Sequence, residues 1–378
     1  MFGTLIALGV VSTAYGLYEF YSAFTMWPEE VRADLRAGVK AKRQDNLSLS
    51  EKFFQRAWDT AQTLSLSHFG TSPYLKLSGI AISLAEVLEA HERPQPAWDA
   101  YVDAIEQFTR LRKQGVPLSG PERMRAVAIA SKLGEMAETY QLPLEDEEQW
   151  LSWAVSELMK ILKEAQPERG ADVGGEEPAD VPLMLAELEM PPWVSKTTLG
   201  APLEALGNFY ARRGKVEYAV PLYLQAINLL VPPSGSNKTS TTEEKCRGAQ
   251  LMNNLAELTI REAPTPDNRR RAELWARQAR GTIERTKAEA RGGAEELATC
   301  EQALAAVMFN IGSLLEMRGE HEQSRELFKE SLDQANRIKM REGTMAARVA
   351  LRRLERTSIE RQIGGNGTNA PSDSPQSQ

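Results

Sequence analysis

Residues 203–232 read LEALGNFYARRGKVEYAVPLYLQAINLLVP, and the order of small and large residues in it pairs two helices. Leu203, Leu206, Gly207 and Tyr210 fall on a first helix, and the run RRGK at 212–215 makes a turn. Ala219, Tyr223 and Ala226 fall on a second helix, which Pro232 closes. Gly207 and Ala219 are small where the two helices of the hairpin touch. Tyr210 and Tyr223 fill space toward the neighbouring helices.

This order of small and large residues resembles the tetratricopeptide (TPR) repeat family. Its pattern is a large residue, Leu-Gly, Tyr, a helix break, then Ala, an aromatic and Ala. The resemblance implies an all-α, TPR-like solenoid of helical hairpins. A second unit over residues 308–336 follows the same rhythm, with Ile311, Gly312 and Leu315 on one helix and Ser324, Phe328 and Ser331 on the next. Weaker copies are marked by Gly38, Ser50, Phe54 and Ala57, and by Ala85, Ala97, Tyr101 and Ala104. Others are marked by Gly134, Leu151 and Ala154, and by Ala256, Ala272, Ala276 and Ala279, with APTPDNRR lengthening that last turn. About six hairpins result, spaced more widely than the ~34 residues of the simplest arrays. No run of alternating β-branched residues signals a strand.

Composition divides the chain further. Residues 1–27 hold a run without charge from 2 to 18, interrupted at Glu19 and ending in Tyr21 and Trp27. About 25 residues at ~1.5 Å each span a ~30 Å hydrocarbon core, so this segment is expected to be a single transmembrane anchor; an apolar core helix is the alternative. Hairpins of the first set occupy 28–165, and an acidic, Pro- and Gly-rich insert with its connection occupies 166–198. The second set with a capping helix occupies 199–362, and a low-complexity tail occupies 363–378.

The chain has 378 residues, a net charge of −7 and a pI near 5.4. That balance argues against nucleic acid as a partner. Cys246 and Cys300 are far apart with no CxxC companion, so each is expected to be a small, partly buried side chain without a disulfide or zinc. His68, His91 and His321 are scattered over helix ends and connections with no metal-ligand spacing. No nucleotide loop, zincin motif, nucleophile elbow or kinase signature is present. The expectation is a protein without catalytic residues, cofactor, metal or small-molecule substrate. The acidic run at 145–148 suits a helix start. Asn46, Asn237 and Asn366 begin glycosylation-type tripeptides, which matter only in a secretory lumen.

The chain does offer one set of groove candidates. In TPR repeats the first helix of each hairpin lines a concave groove, and Asn208, Asn254 and Asn310 lie on such helices. An amide both donates and accepts, so a ladder of them holds an extended backbone without reading its sequence. The alternative is that these amides bond to neighbouring helices. A basic clamp for a terminal carboxylate is not expected, because Glu204 and Ala306 stand where the family's clamp needs Lys or Arg.

The anchor followed by WPEEVRADLRAGVKAKRQDNLSLSEKFFQRAWDTA, with NNLAEL at 253–258, is more specific than a repeat alone. It resembles the fungal mitochondrial inner-membrane TPR adaptors of the i-AAA protease, and is similar to animal TPR proteins acting on a respiratory complex. The resemblance implies repeats facing the intermembrane space and protein clients delivered to the protease in quality control. Assembly or maintenance of a respiratory-chain complex is the alternative.

Overall fold

A helix whose small residues face a partner's large ones has little choice but to form a hairpin, and the chain repeats that solution throughout. The computed structural model describes residues 26–165, 190–232, 239–290 and 297–366. Among them there are thirteen α-helices and one 3-10 turn, and no strand. The helices belong to two compact units, the first ending with residues 190–194 and the second beginning at Ser195.

The first unit holds three hairpins. They are α1 (Glu29–Arg43) with α2 (Leu47–Thr63), α3 (Pro73–Ala90) with α4 (Pro94–Lys113), and α5 (Gly120–Thr139) with α6 (Leu144–Glu164). Asn46 starts α2 by accepting the Leu49 N–H at 3.1 Å. That cap is worth ~1 kcal/mol and occupies the side chain of the first glycosylation-type Asn. At the start of α5, Glu122 accepts from the Ser119 N–H (2.9 Å) and hydroxyl (2.7 Å). Its other oxygen accepts the Tyr74 N–H at 2.9 Å, which ties the beginnings of α3 and α5 together and accounts for a buried carboxylate. Tyr74 packs edge-on to Phe108 (5.3 Å), and Phe108 edge-on to Trp153 (5.8 Å), so an aromatic chain joins α3, α4 and α6.

The second unit also holds three hairpins and a final helix. They are α7 (Lys196–Arg212) with α8 (Val216–Leu230), α9 (Thr242–Glu262) with α10 (Pro266–Glu289), and α11 (Ala298–Arg318) with α12 (His321–Arg337). The last helix, α13 (Arg341–Asn366), lies on α12 and α11, and closes a core of Phe328, Ala350 and Leu354. It runs past residue 362, the limit expected from sequence.

The first part of one register runs through five of the six hairpins, and the whole of it through four. A small residue on the first helix (Gly38, Ala85, Gly134, Gly207, Gly312) is followed seven positions later by a turn residue of positive φ: Asp45, Glu92, Gln141, Gly214 and Gly319. Twelve positions after the small residue, Ser50, Ala97, Ala219 and Ser324 are fully buried. Ser50 and Ser324 each donate to the carbonyl of their glycine, at 2.9 and 2.8 Å. The large residues Phe54, Tyr101, Tyr223 and Phe328 follow at sixteen. The α9–α10 hairpin departs from the register because its turn is longer, and there Ala272, Ala276 and Ala279 are fully buried instead.

The cysteines overturn an expectation. Cys246 on α9 and Cys300 on α11 form a disulfide, with Cα atoms 4.8 Å apart and both side chains fully buried. Their separation of 54 residues carries no spacing signal, and only the stacking of α9 against α11 brings them together. The connection expected over 166–198 also differs at its end, since Trp193 packs over Gly120 of the first unit and α7 already begins at Lys196. The expected anchor lies outside the described residues apart from Met26 and Trp27. Among the described residues, one helix is long and apolar enough to cross a membrane, Ala298–Arg318. It is α11, whose apolar residues form the core of the second unit.

Candidate protein-binding surface

Three first helices, α7, α9 and α11, contact one another in succession, and their register decides which side chains share a surface. Asn208 follows Gly207, the residue covered by the Tyr223 ring. The Tyr223 hydroxyl donates to Asn208 Oδ1 at 2.6 Å. Burial, then the nearby Glu204 and Glu257 carboxylates, push that phenol up to about 12, so it stays a proton donor at neutral pH. The Asn208 carbonyl is thereby occupied and its NH2 group is left as a donor.

Asn254, on α9, shares with Asn208 a surface depression of about 220 Å³. Its amide has no hydrogen-bond partner among the described residues. Arg212 lines the α7 side, and Glu257 and Arg261 line the α9 side, their charged ends 3.7 Å apart. Beside it, Glu204 pairs with Arg247 at 2.9 Å, so the position where a carboxylate clamp needs a base holds a satisfied acid. The depression therefore offers two amides and charges of both signs within one small open volume, a set suited to a peptide backbone and its polar side chains.

Asn310 is placed differently. Its Nδ2 donates to Asn253 Oδ1 at 3.1 Å, and Asn253 is itself buried on α9. It thus ties α11 to α9, across the same interface as the disulfide. The sequence pattern named Asn208 and Asn254 but missed Arg212, Glu257 and Arg261. Their spacing was the available signal: 208 and 212 are four apart, as are 257 and 261, so each pair shares a helix face.

The packing residues are equally local. Leu206, Gly207, Ala219, Tyr223, Ala226, Gly312 and Phe328 are buried. The Tyr210 ring is half-buried and lies 5.2 Å from Tyr218 and under Lys215 Nζ, both from its own hairpin. His91 and His68 face carboxylates, Glu51 at 3.0 Å and Glu30 at 3.8 Å, and His321 begins α12. Among the described residues no cluster of three His, Cys, Asp or Glu side chains is arranged to hold a metal.

No family model matches the chain. A TPR repeat-containing protein of Schizosaccharomyces pombe is 22% identical over 294 residues, covering 76% of this chain and 67% of that protein. Among solved structures, BtubC from P. vanneervenii is similar with a TM-score of 0.49 and 14% identity, covering 88% of this chain and 96% of the other. The apo form of RapI is similar at 0.47 and 12%, covering 88% and 73%. The TPR2AB-domain:pHSP90 complex of yeast Sti1 is similar at 0.30 and 12%, covering 86% and 98%. At these identities and scores no function carries over.

Proposed function

We propose that this chain is a TPR-type scaffold that binds extended segments of client proteins and has no catalytic role. The observation that carries the reading is the depression between α7 and α9, where the Asn208 and Asn254 amides stand beside Arg212, Glu257 and Arg261. An unpartnered amide at the surface, held by packed helices, is ready to bond a backbone at little ordering cost. The similarity to a TPR repeat-containing protein supports the repeat type.

Residues 1–27 anchor the scaffold in the mitochondrial inner membrane, with the repeats in the intermembrane space. Its clients pass to the i-AAA protease in quality control. The sequence resemblance supports this finer part, and the disulfide suits an oxidising compartment. Affinity purification of the full chain from detergent-solubilised mitochondria tests it, with partners identified by mass spectrometry. Enrichment of the AAA protease, reduced clients on Asn254→Ala, and intact helicity are expected. Respiratory-complex subunits without the protease would replace the adaptor role by an assembly role. Absence from mitochondria would remove the compartment and the protease together.

A further inference from the structure

The outward face of α1 combines two kinds of residue that a globular surface usually keeps apart. Leu35 and Val39 lie on it with Arg36, Lys40 and Arg43, around an open groove of about 550 Å³ that Trp27 borders. The intervals of three and four residues put them on one side of the helix. Val39 is 43% exposed. The Arg32 Nε–H bonds to the Trp27 carbonyl at 2.7 Å, which fixes the chain entering the helix beside this face. The opposite side of α1 buries Val31, Gly38 and Ala41 against its own unit, and Asp34 turns away to Arg56 at 2.5 Å. On the exposed groove side Lys40 and Arg43 carry positive charge, and no acid is found among the described residues that line it.

We infer that this face binds anionic phospholipid headgroups and lays α1 along a membrane surface. Basic side chains reach phosphates while Trp27, Leu35 and Val39 enter the boundary between headgroups and acyl chains. Apolar residues interleaved with the bases favour lipid over nucleic acid, and the chain's net charge of −7 makes a local basic face stand out. Position agrees as well. Residues 2–28, immediately before α1, contain a single charged residue, Glu19, so an apolar segment delivers this helix to the interface. The inference uses the anchor reading for location only. It sets how the repeats stand on the membrane, which the anchor alone leaves undetermined.

The test uses the full chain with Val39→Cys carrying a polarity-sensitive fluorophore, since both native cysteines are in the buried disulfide. It is reconstituted into nanodiscs of phosphatidylcholine alone or of phosphatidylcholine with phosphatidylglycerol. A blue shift in the anionic discs is expected, absent in neutral discs and reversed by high salt. Lys40→Glu with Arg43→Glu, and the milder pair Lys40→Gln with Arg43→Gln, should lose the shift while melting like the parent. Equal emission in both lipids, or a shift that survives charge reversal, overturns the inference and leaves a protein as the occupant of the face. Flotation reports the anchor separately. A chain that floats only with anionic discs and shows the shift there keeps this face and refutes the anchor.

Discussion

Gly207 lies beneath the ring of Tyr223, so close that a Cβ on the glycine would stand 2.9 Å from Tyr223 Cε1. The same sixteen-residue interval sets Gly38 against Phe54 (3.1 Å) and Gly312 against Phe328 (3.0 Å). These three hairpins thus close by seating an aromatic ring on bare backbone. Gly207→Val adds volume with no vacant space to receive it. It is expected to destabilise the second unit by about 1–3 kcal/mol, read in urea melts. An unchanged midpoint would mean that the ring moves aside freely.

Gln141 holds a left-handed conformation, φ 53°, where the matching turns have Gly214 and Gly319. A side chain there is strained by ~1–2 kcal/mol, and Gln141 is exposed. Gln141→Gly should raise the stability of the first unit by up to about 1 kcal/mol, after the added freedom of the unfolded glycine is subtracted. A loss of stability would show that the Gln141 side chain contributes more than its backbone costs.

The disulfide joins two first helices and closes a 54-residue loop. Reduction is expected to lower the stability of the second unit by about 2–4 kcal/mol. The first unit contains no cysteine and should not respond. Hydrogen exchange with and without reductant separates the two, and equal loosening of both would count against independent units.

Glu51 receives His91 Nδ1 at 3.0 Å and an Arg93 guanidinium. Burial raises its pKa, but these two partners outweigh that and hold the carboxyl below the ordinary 4.5. A depressed folded pKa stabilises fully above the unfolded value, and that stabilisation disappears as pH falls below about 4.5 through the folded value. Glu51→Gln should therefore melt earlier than the parent at neutral pH, with a gap of ~1 kcal/mol that closes in acid. A gap constant with pH would assign the effect to shape.

Asn208 and Asn254 separate folding from binding. Asn208→Ala takes away the acceptor of a buried tyrosine hydroxyl and should cost about 1 kcal/mol in stability as well as binding. Asn254→Ala removes an unpartnered amide and should leave the melting curve in place while weakening capture of unfolded model peptides. If both variants keep full capture, the depression is not the binding surface.

The hairpins follow from local sequence. Small and large residues at fixed intervals act through the 3.6-residue turn, which is local, so Gly207, Ala219 and Tyr223 announce helix contacts without any knowledge of the rest of the chain. It also gave the turns at Gly214 and Gly319, where glycine marks a left-handed residue. Asp45, Glu92 and Gln141 hold the same conformation without a residue type that signals it. Tertiary structure alone decided what depends on neighbouring hairpins: the Cys246–Cys300 bond, the Asn310–Asn253 contact across that interface, and the meeting of Asn254 with Asn208 and Arg212. Periodicity fixes which face of a helix is buried, but not which distant helix is set against it. That choice belongs to the stacking of whole hairpins, in which contacts about 50 residues apart form together.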